Sequence, residues 1–233
     1  MTAISAETHV AALVLEEPSR ARVFERFGID YCCGGAVPLE AACAARGLDV
    51  GLVTAALAEP PARGAEDVDW RGASVATLVD HIVEQHHAYL REELSPLGAL
   101  VEKVARAHGA AHPELADVRE TFTAVAAELG EHMVEEEHVV FPACVALEEG
   151  ARDIGLSSLE SPIEGMLHDH DEVGAGLARL RKLTSGYEPP ADACNSYRAM
   201  LDRLRTLEVD IHRHVHEENN VLFPRALALE AER

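Results

Sequence analysis

One segment of this chain is written twice. HMVEEEHVVFP at 132–142 and HVHEENNVLFP at 214–224 align without a gap, sharing the leading His, two Glu, a Val and the closing Phe-Pro. Each copy sets an imidazole and a carboxylate four residues apart inside an apolar 3.6-residue pattern. Residues so spaced share one helix face, about one turn apart. A carboxylate taken out of water loses several kcal/mol of hydration unless something offsets its charge. Any fold for this sequence has to meet that demand twice.

The flanking pattern indicates how. Four segments with helical periodicity run over 74–108, 113–149, 157–185 and 190–230, separated by HGAAHP, GARDIGLSS and SGYEPPA. The breaks carry Gly, Pro or Ser, and Ser74 and Ser157–Ser158 are placed to cap helix starts. Long helices with short connections predict an all-α, up-down-up-down four-helix bundle. Phe-Pro at 141–142 and 223–224 is expected to kink or break its helix near the end. The Pro- and Gly-containing stretch AEPPARGAEDVDWRGA reads as a linker, giving an N-terminal domain over 1–58, a linker over 59–73 and the bundle over 74–233. Within the first domain, short helices are expected over 17–27, 38–46 and 49–58, with a forced turn at GIDYCCGGAVP. A segment of that size buries little core of its own and is expected to lean on the rest.

Composition narrows the partners. A net charge of −21 excludes sequence-independent nucleic-acid binding, which needs clustered Lys and Arg. The apolar run VAALVL near the N-terminus is too short for a membrane span and lacks the basic flank of a signal peptide. A cytoplasmic setting is expected, in which the five cysteines are thiols.

The apolar stripes sort the 13 histidines. They read Ala76, Val79, Val83, His87, Leu90, Leu94, Leu97 on the first long helix and Val125, Leu129, His132, Glu136, Val139, Ala143 on the second. The third gives Ile163, Met166, His170, Val173, Leu177, Leu180, and the fourth Leu207, Ile211, His214, Glu218, Val221. One histidine faces the core on each helix, and a glutamate follows on two. His86 rivals His87, and His138 is ambiguous. His168, His212 and His216 are expected on solvated faces. His87 and His132 are 45 residues apart, His170 and His214 are 44 apart, so the second half repeats the first. With few Lys or Arg on these faces, metal cations are the compensation that fits. Imidazole and carboxylate suit iron, manganese or zinc, and one carboxylate from each of two helices suits a pair of metals about 3.5–4 Å apart.

With DYCCGG at 30–35, DHIVEQHH, the two HxxxE segments, HDE at 170–172 and ENNVLFP, the chain resembles the iron–sulfur cluster repair di-iron proteins. These are a hemerythrin-like family of YtfE and ScdA type with a ScdA-type N-terminal domain, and the resemblance covers nearly the whole chain. It implies two non-haem iron ions, oxo- and carboxylate-bridged, bound by His87, His132, His170 and His214 with Glu136 and Glu218 as bridges. It further implies restoration of iron–sulfur clusters damaged by nitric oxide or peroxide. The partners would be damaged or apo iron–sulfur proteins, with nitric oxide or oxygen as small ligands, and the chain a monomer or homodimer. Oxygen-carrying hemerythrins use one histidine more, which disfavours simple oxygen carriage.

Three readings stand for Cys32 and Cys33: soft ligands that pass iron, a redox-active pair, or small buried packing residues. Cys43, Cys144 and Cys194 are expected to pack. Glu137, Asp169 and Asp171 are candidates to orient the histidines. Three functions follow: an iron donor for cluster repair, a di-iron nitric oxide or peroxide reductase, and an oxygen or nitric oxide sensor. The first is a repair protein rather than a conventional turnover enzyme.

Overall fold

The structure, a computed structural model, describes residues 4–64 and 66–232. Residues 1–3, 65 and 233, at the ends of the expected domains and inside the expected linker, lie outside the described residues. The fold is all-α, a helical bundle with a small helical N-terminal domain. Among the described residues no helix is long and apolar enough to cross a membrane.

The chain divides into two compact units, residues 1–78 with 212–233, and residues 79–211. The first opens with α1 (Val10–Glu16), a 3-10 turn (Pro18–Arg20), α2 (Ala21–Phe27), α3 (Leu39–Ala45) and α4 (Val50–Ala58). α1 is a helix that the sequence reading missed, because VAALVL is short and apolar all round. Gly28, at φ 65°, ends α2 in the left-handed conformation glycine adopts without cost. Asp49 caps α4 by accepting the Leu52 N–H at 3.1 Å. Val10, Leu13, Phe24, Tyr31, Leu39 and Leu57 form its core. The GIDYCCGGAVP turn runs back beside α1, with Ala11 N–H donating to Gly35 O at 2.9 Å. A Cβ at Gly35 would stand 2.5 Å from Tyr31 O and 2.6 Å from the Ala11 methyl, so only glycine fits.

The long helices are α5 (Val75–His81), α6 (Ala88–His108), α7 (Glu114–Glu135), α8 (Phe141–Glu148), α9 (Glu160–Leu183), α10 (Asn195–Glu217) and α11 (Phe223–Ala231). Ser74 Oγ accepts the Thr77 N–H, as expected of a helix cap, whereas the N-cap of α9 is Leu159, and Ser158, one residue before it, accepts the Glu160 N–H through Oγ. In the 79–211 unit, α7 packs on α6 and α9. The approach of α7 to α9 is close at Gly176, where a Cβ would meet Val125 at 2.4 Å. Arg203 pairs with Glu93 at 2.6 Å, and Arg181 pairs with the buried Glu208 through two nitrogens.

Three π-helical turns, Ile82–His87, Glu136–Val140 and Glu218–Leu222, join α5 to α6, α7 to α8 and α10 to α11. They bear on two expectations. The α-helix is broken ahead of each Phe-Pro, but the chain runs on helically: Phe141 N–H bonds to Glu136 O and Phe223 N–H to Glu218 O, five residues back, and Pro142 and Pro224 then open the next α segment. A π turn also holds one residue more than an α turn, which rotates the stripe beyond it. Val140 and Leu222 are therefore buried where Val139 and Val221 were expected; on the first helix Val75, Leu78 and Ile82 are buried rather than Ala76, Val79 and Val83, a one-residue offset that is already present in the regular α5.

Candidate metal centre

Each π turn carries a residue of the repeated pattern: His87 closes the first, Glu136 opens the second and Glu218 opens the third. In the 79–211 unit, four of the expected ligands come together. Glu136 is fully buried, with Oε1 3.0 Å from His132 Nε2 and Oε2 3.3 Å from His87 Nε2. His170 Nε2 lies 2.9 Å from His132 Nε2. One carboxylate thus offers each oxygen to a different imidazole.

The far sides of the rings are held by carboxylates. His87 Nδ1 lies 2.6 Å from Glu137 Oε1, and His132 Nδ1 lies 3.2 Å from Asp169 Oδ2. These contacts draw the ring proton to Nδ1 and turn the Nε2 lone pair toward Glu136. Burial pushes the Glu137 carboxyl up, but its bonds to His87 and Arg91 outweigh that and hold it below the usual carboxylate range. Phe141 stacks on the His87 ring at 5.7 Å between centroids. Asp171, the third candidate for this supporting role, is exposed.

The atoms that converge here are acceptors. Neither oxygen of Glu136 accepts a hydrogen bond, although the residue is sealed from water. A buried carboxylate facing imidazole lone pairs is unfavourable alone and favourable around a cation. The donor set of nitrogen and oxygen therefore fits a metal. His86 points elsewhere, with Nδ1 2.9 Å from Asp210, which leaves His87 as the ligand candidate on its helix.

In the other unit, His214 Nε2 lies 2.9 Å from Glu218 Oε1, both buried. The same unit holds the thiol turn. Asp30 accepts the N–H groups of Cys32, Cys33 and Gly34 at 2.9, 3.1 and 2.9 Å, and the two Sγ atoms stand 3.7 Å apart as free thiols. Its hydrogen bond to Cys33, together with burial and Asp30, pushes the Cys32 thiol up. The turn is fastened to the end of the last long helix: Asn220 Nδ2 donates to Cys32 O at 3.2 Å, and His216 Nδ1 lies 3.2 Å from Tyr31 O.

That fastening corrects the placement of His216 and His212. His216 is buried, and burial pulls its imidazole down to about 4. His212 is half-buried against the edge of Tyr31. His212, His216 and Asn220 recur every four residues as a second, uncharged polar stripe, the signal in the sequence that could have revealed a covered face. Cys194 also differs from expectation. The last long helix starts at Asn195, so Cys194 is exposed just before it, 3.2 Å from His108 Nε2. Backbone N–H of Tyr197 and then His108 lower its thiol. Cys43 and Cys144 are buried, as expected.

Residues 78–226 match the hemerythrin HHE cation binding domain, and residues 6–60 match ScdA_N, a domain of unknown function (DUF542). The chain is 35% identical to the iron-sulfur cluster repair protein YtfE of Musicola paradisiaca, covering 97% of this chain and 98% of that protein. It is 33% identical to the iron-sulfur cluster repair protein ScdA of Staphylococcus haemolyticus, covering 94% of this chain and 98% of that one. This chain belongs to the hemerythrin-like iron–sulfur cluster repair family. An Escherichia coli YtfE, at 36% identity over 93% of this chain and 94% of its own, extends the likeness. The hemerythrin match falls over the buried His and Glu clusters and the ScdA_N match over the thiol turn, so each family match covers one of the clusters described above.

Proposed function

We propose that this chain repairs damaged iron–sulfur clusters through a dinuclear non-haem iron centre held by His87, His132, His170 and His214, with Glu136 and Glu218 as bridging carboxylates. The observation that carries the reading is Glu136, fully buried and presenting each oxygen to a different imidazole. His214 and Glu218 are assigned to the same centre because their segment copies 132–142 residue for residue at the ligand positions. The names of the relatives give the reaction class. Two irons bound there would supply a transferable ferrous ion and open coordination positions for a diatomic ligand. The chain's own part is to hold the imidazoles by Glu137 and Asp169, to exclude bulk water, and to keep the helix geometry through the π turns.

Cys32 and Cys33 are proposed to serve repair by handling iron or electrons, since their turn is fastened to the helix end that carries His214 and Glu218. Damaged or apo iron–sulfur proteins are the proposed partners. The test is metal content per chain with the near-ultraviolet spectrum, followed by transfer from the reduced protein to an apo-cluster acceptor. Two irons and loss of iron to the acceptor are expected. Multiple turnovers of nitric oxide with the iron retained would replace this reading by a reductase. One zinc, or no metal after anaerobic purification, would end the dinuclear reading. The double variant Cys32→Ser, Cys33→Ser should keep both irons and lose repair; unchanged repair would make these cysteines packing residues.

A further inference from the structure

The two imidazoles that face Glu136 are supported unequally. Glu137 Oε1, which receives His87 Nδ1 at 2.6 Å, also receives Arg91 Nη2 at 2.6 Å. Arg91 stands four residues after His87, across the boundary between the π turn and the following α-helix, so both side chains reach the same oxygen. Glu136 and Glu137 are neighbours on one π turn, and they grip His87 from its two nitrogens. Asp169, which supports His132, meets neither Lys nor Arg among the described residues.

An imidazole whose N–H faces a full carboxylate charge gains basicity at its other nitrogen and binds a cation more tightly. A guanidinium on that carboxylate oxygen withdraws part of the charge and adds a positive charge of its own close by. Both effects weaken the metal at the His87 nitrogen. Nothing comparable acts at His132. Arg91 is half-exposed, so its cost in hydration is small and its charge persists across the physiological pH range.

We propose that Arg91 acts through Glu137 as a positioning residue that loosens the metal held by His87, so that one of the two iron positions is kept releasable. This rests on the dinuclear reading above. For a protein that hands iron to an acceptor, a site of maximal affinity would be a defect, and Arg91–Glu137 is a device that lowers affinity on one side only.

The experiment uses the full chain loaded anaerobically with ferrous iron, counted per chain, then mixed with excess ferrous chelator while release is followed optically. Arg91→Gln should slow the release of one iron by roughly threefold to tenfold, a fraction of the 10–100-fold that outright loss of a supporting partner costs, and leave the other unchanged. Arg91→Lys should restore the wild-type rate, and Glu137→Gln should speed that same phase. In the Arg91→Gln, Glu137→Gln double variant the Arg91 effect should vanish. In cobalt-loaded protein, the exchangeable Nδ1 proton of His87 should shift downfield in Arg91→Gln, which a merely structural role would not produce. The proposal is overturned if Arg91→Gln speeds release, leaves both phases alone or slows both equally. Equal slowing would mean a through-space charge effect instead. A wild-type chain that binds fewer than two irons fails the dinuclear reading itself, and is recognised before any release is measured.

Discussion

Glu136→Leu should separate what the site costs from what it does. The carboxylate is fully buried with no hydrogen bond to either oxygen, and leucine removes the charge while adding roughly one methylene of volume. Replacing buried ionic groups by apolar ones of similar size is commonly neutral or stabilising by about 1–4 kcal/mol. In a chain of this length each kcal/mol moves the melting temperature by about 2–4 °C. Chelator-treated Glu136→Leu should therefore melt about 2–16 °C above chelator-treated wild type. Metal should reverse the order. A ligand at a hundredfold excess over its Kd adds about 2.7 kcal/mol to a protein that binds it only when folded. Ferrous iron should raise the wild-type midpoint and leave the variant in place. Calorimetry on both proteins, with and without metal and with metal counted in parallel, gives the comparison. A variant that melts below wild type under chelator and still binds two irons would refute the reasoning, because Glu136 would then be a structural group satisfied without a cation.

Two further outcomes test the scaffold. Gly35→Ala forces a methyl to within 2.6 Å of Ala11 and of Tyr31 O, and should destabilise the unit holding the thiol turn by about 1–3 kcal/mol, read as a lower urea midpoint and faster alkylation of Cys32. His112, whose imidazole is held charged by Asp192 and then Glu114 despite a small opposing burial cost, has its pKa raised above 6.5. A raised folded value means that this contribution to stability is full below the unfolded pKa and is lost as pH rises through the folded one. An NMR titration should place His112 above 6.5 and Asp192→Asn should bring it back toward that value; an unchanged midpoint in the variant would remove the pair as the cause.

What was legible in the sequence is what obeys a fixed period. The four histidines and two glutamates lay on stripes of 3.6-residue spacing, and the structure buries all six. Two of the errors come where the period itself changes. Val139 and Val221 were each expected one residue before the position actually buried, and each lies in a π turn, whereas Ala76, Val79 and Val83 are offset by one residue from Val75, Leu78 and Ile82 along the whole of the first helix start. No single residue announces a π turn. Phe-Pro after Glu136 and Glu218 reads in the sequence as a kink or break, and a residue that cannot donate a backbone hydrogen bond is as well suited to follow a widened turn as to end a helix. The covered face at His212, His216 and Asn220 was missed for a different reason: their four-residue stripe signals a covered face, but its partner, the DYCCGG turn, lies 185 to 188 residues away in sequence, and the stripe does not name it.

The π turns also bear on how the repeated segments place their carboxylates. A regular α-helix places i and i+4 on one face but sends i+5 a further 100° round. At Glu136–Val140 the widened turn lets Glu136 face inward while Glu137, the next residue, still reaches His87 from outside. A proposed metal ligand and the group that orients another proposed ligand are thus adjacent in sequence. In the second copy the residue after Glu218 is Asn219, which carries no charge. The supporting carboxylate is therefore present in one copy and absent from the other, so the duplicated pattern is symmetric in its ligand positions and asymmetric in the groups around them. Unequal support of the two imidazoles by Glu137 with Arg91 and by Asp169 alone belongs to the same asymmetry. If the chain binds two irons and releases one, as proposed, that difference is what it needs, and the sequence departs from its own repeat at the position that would supply it.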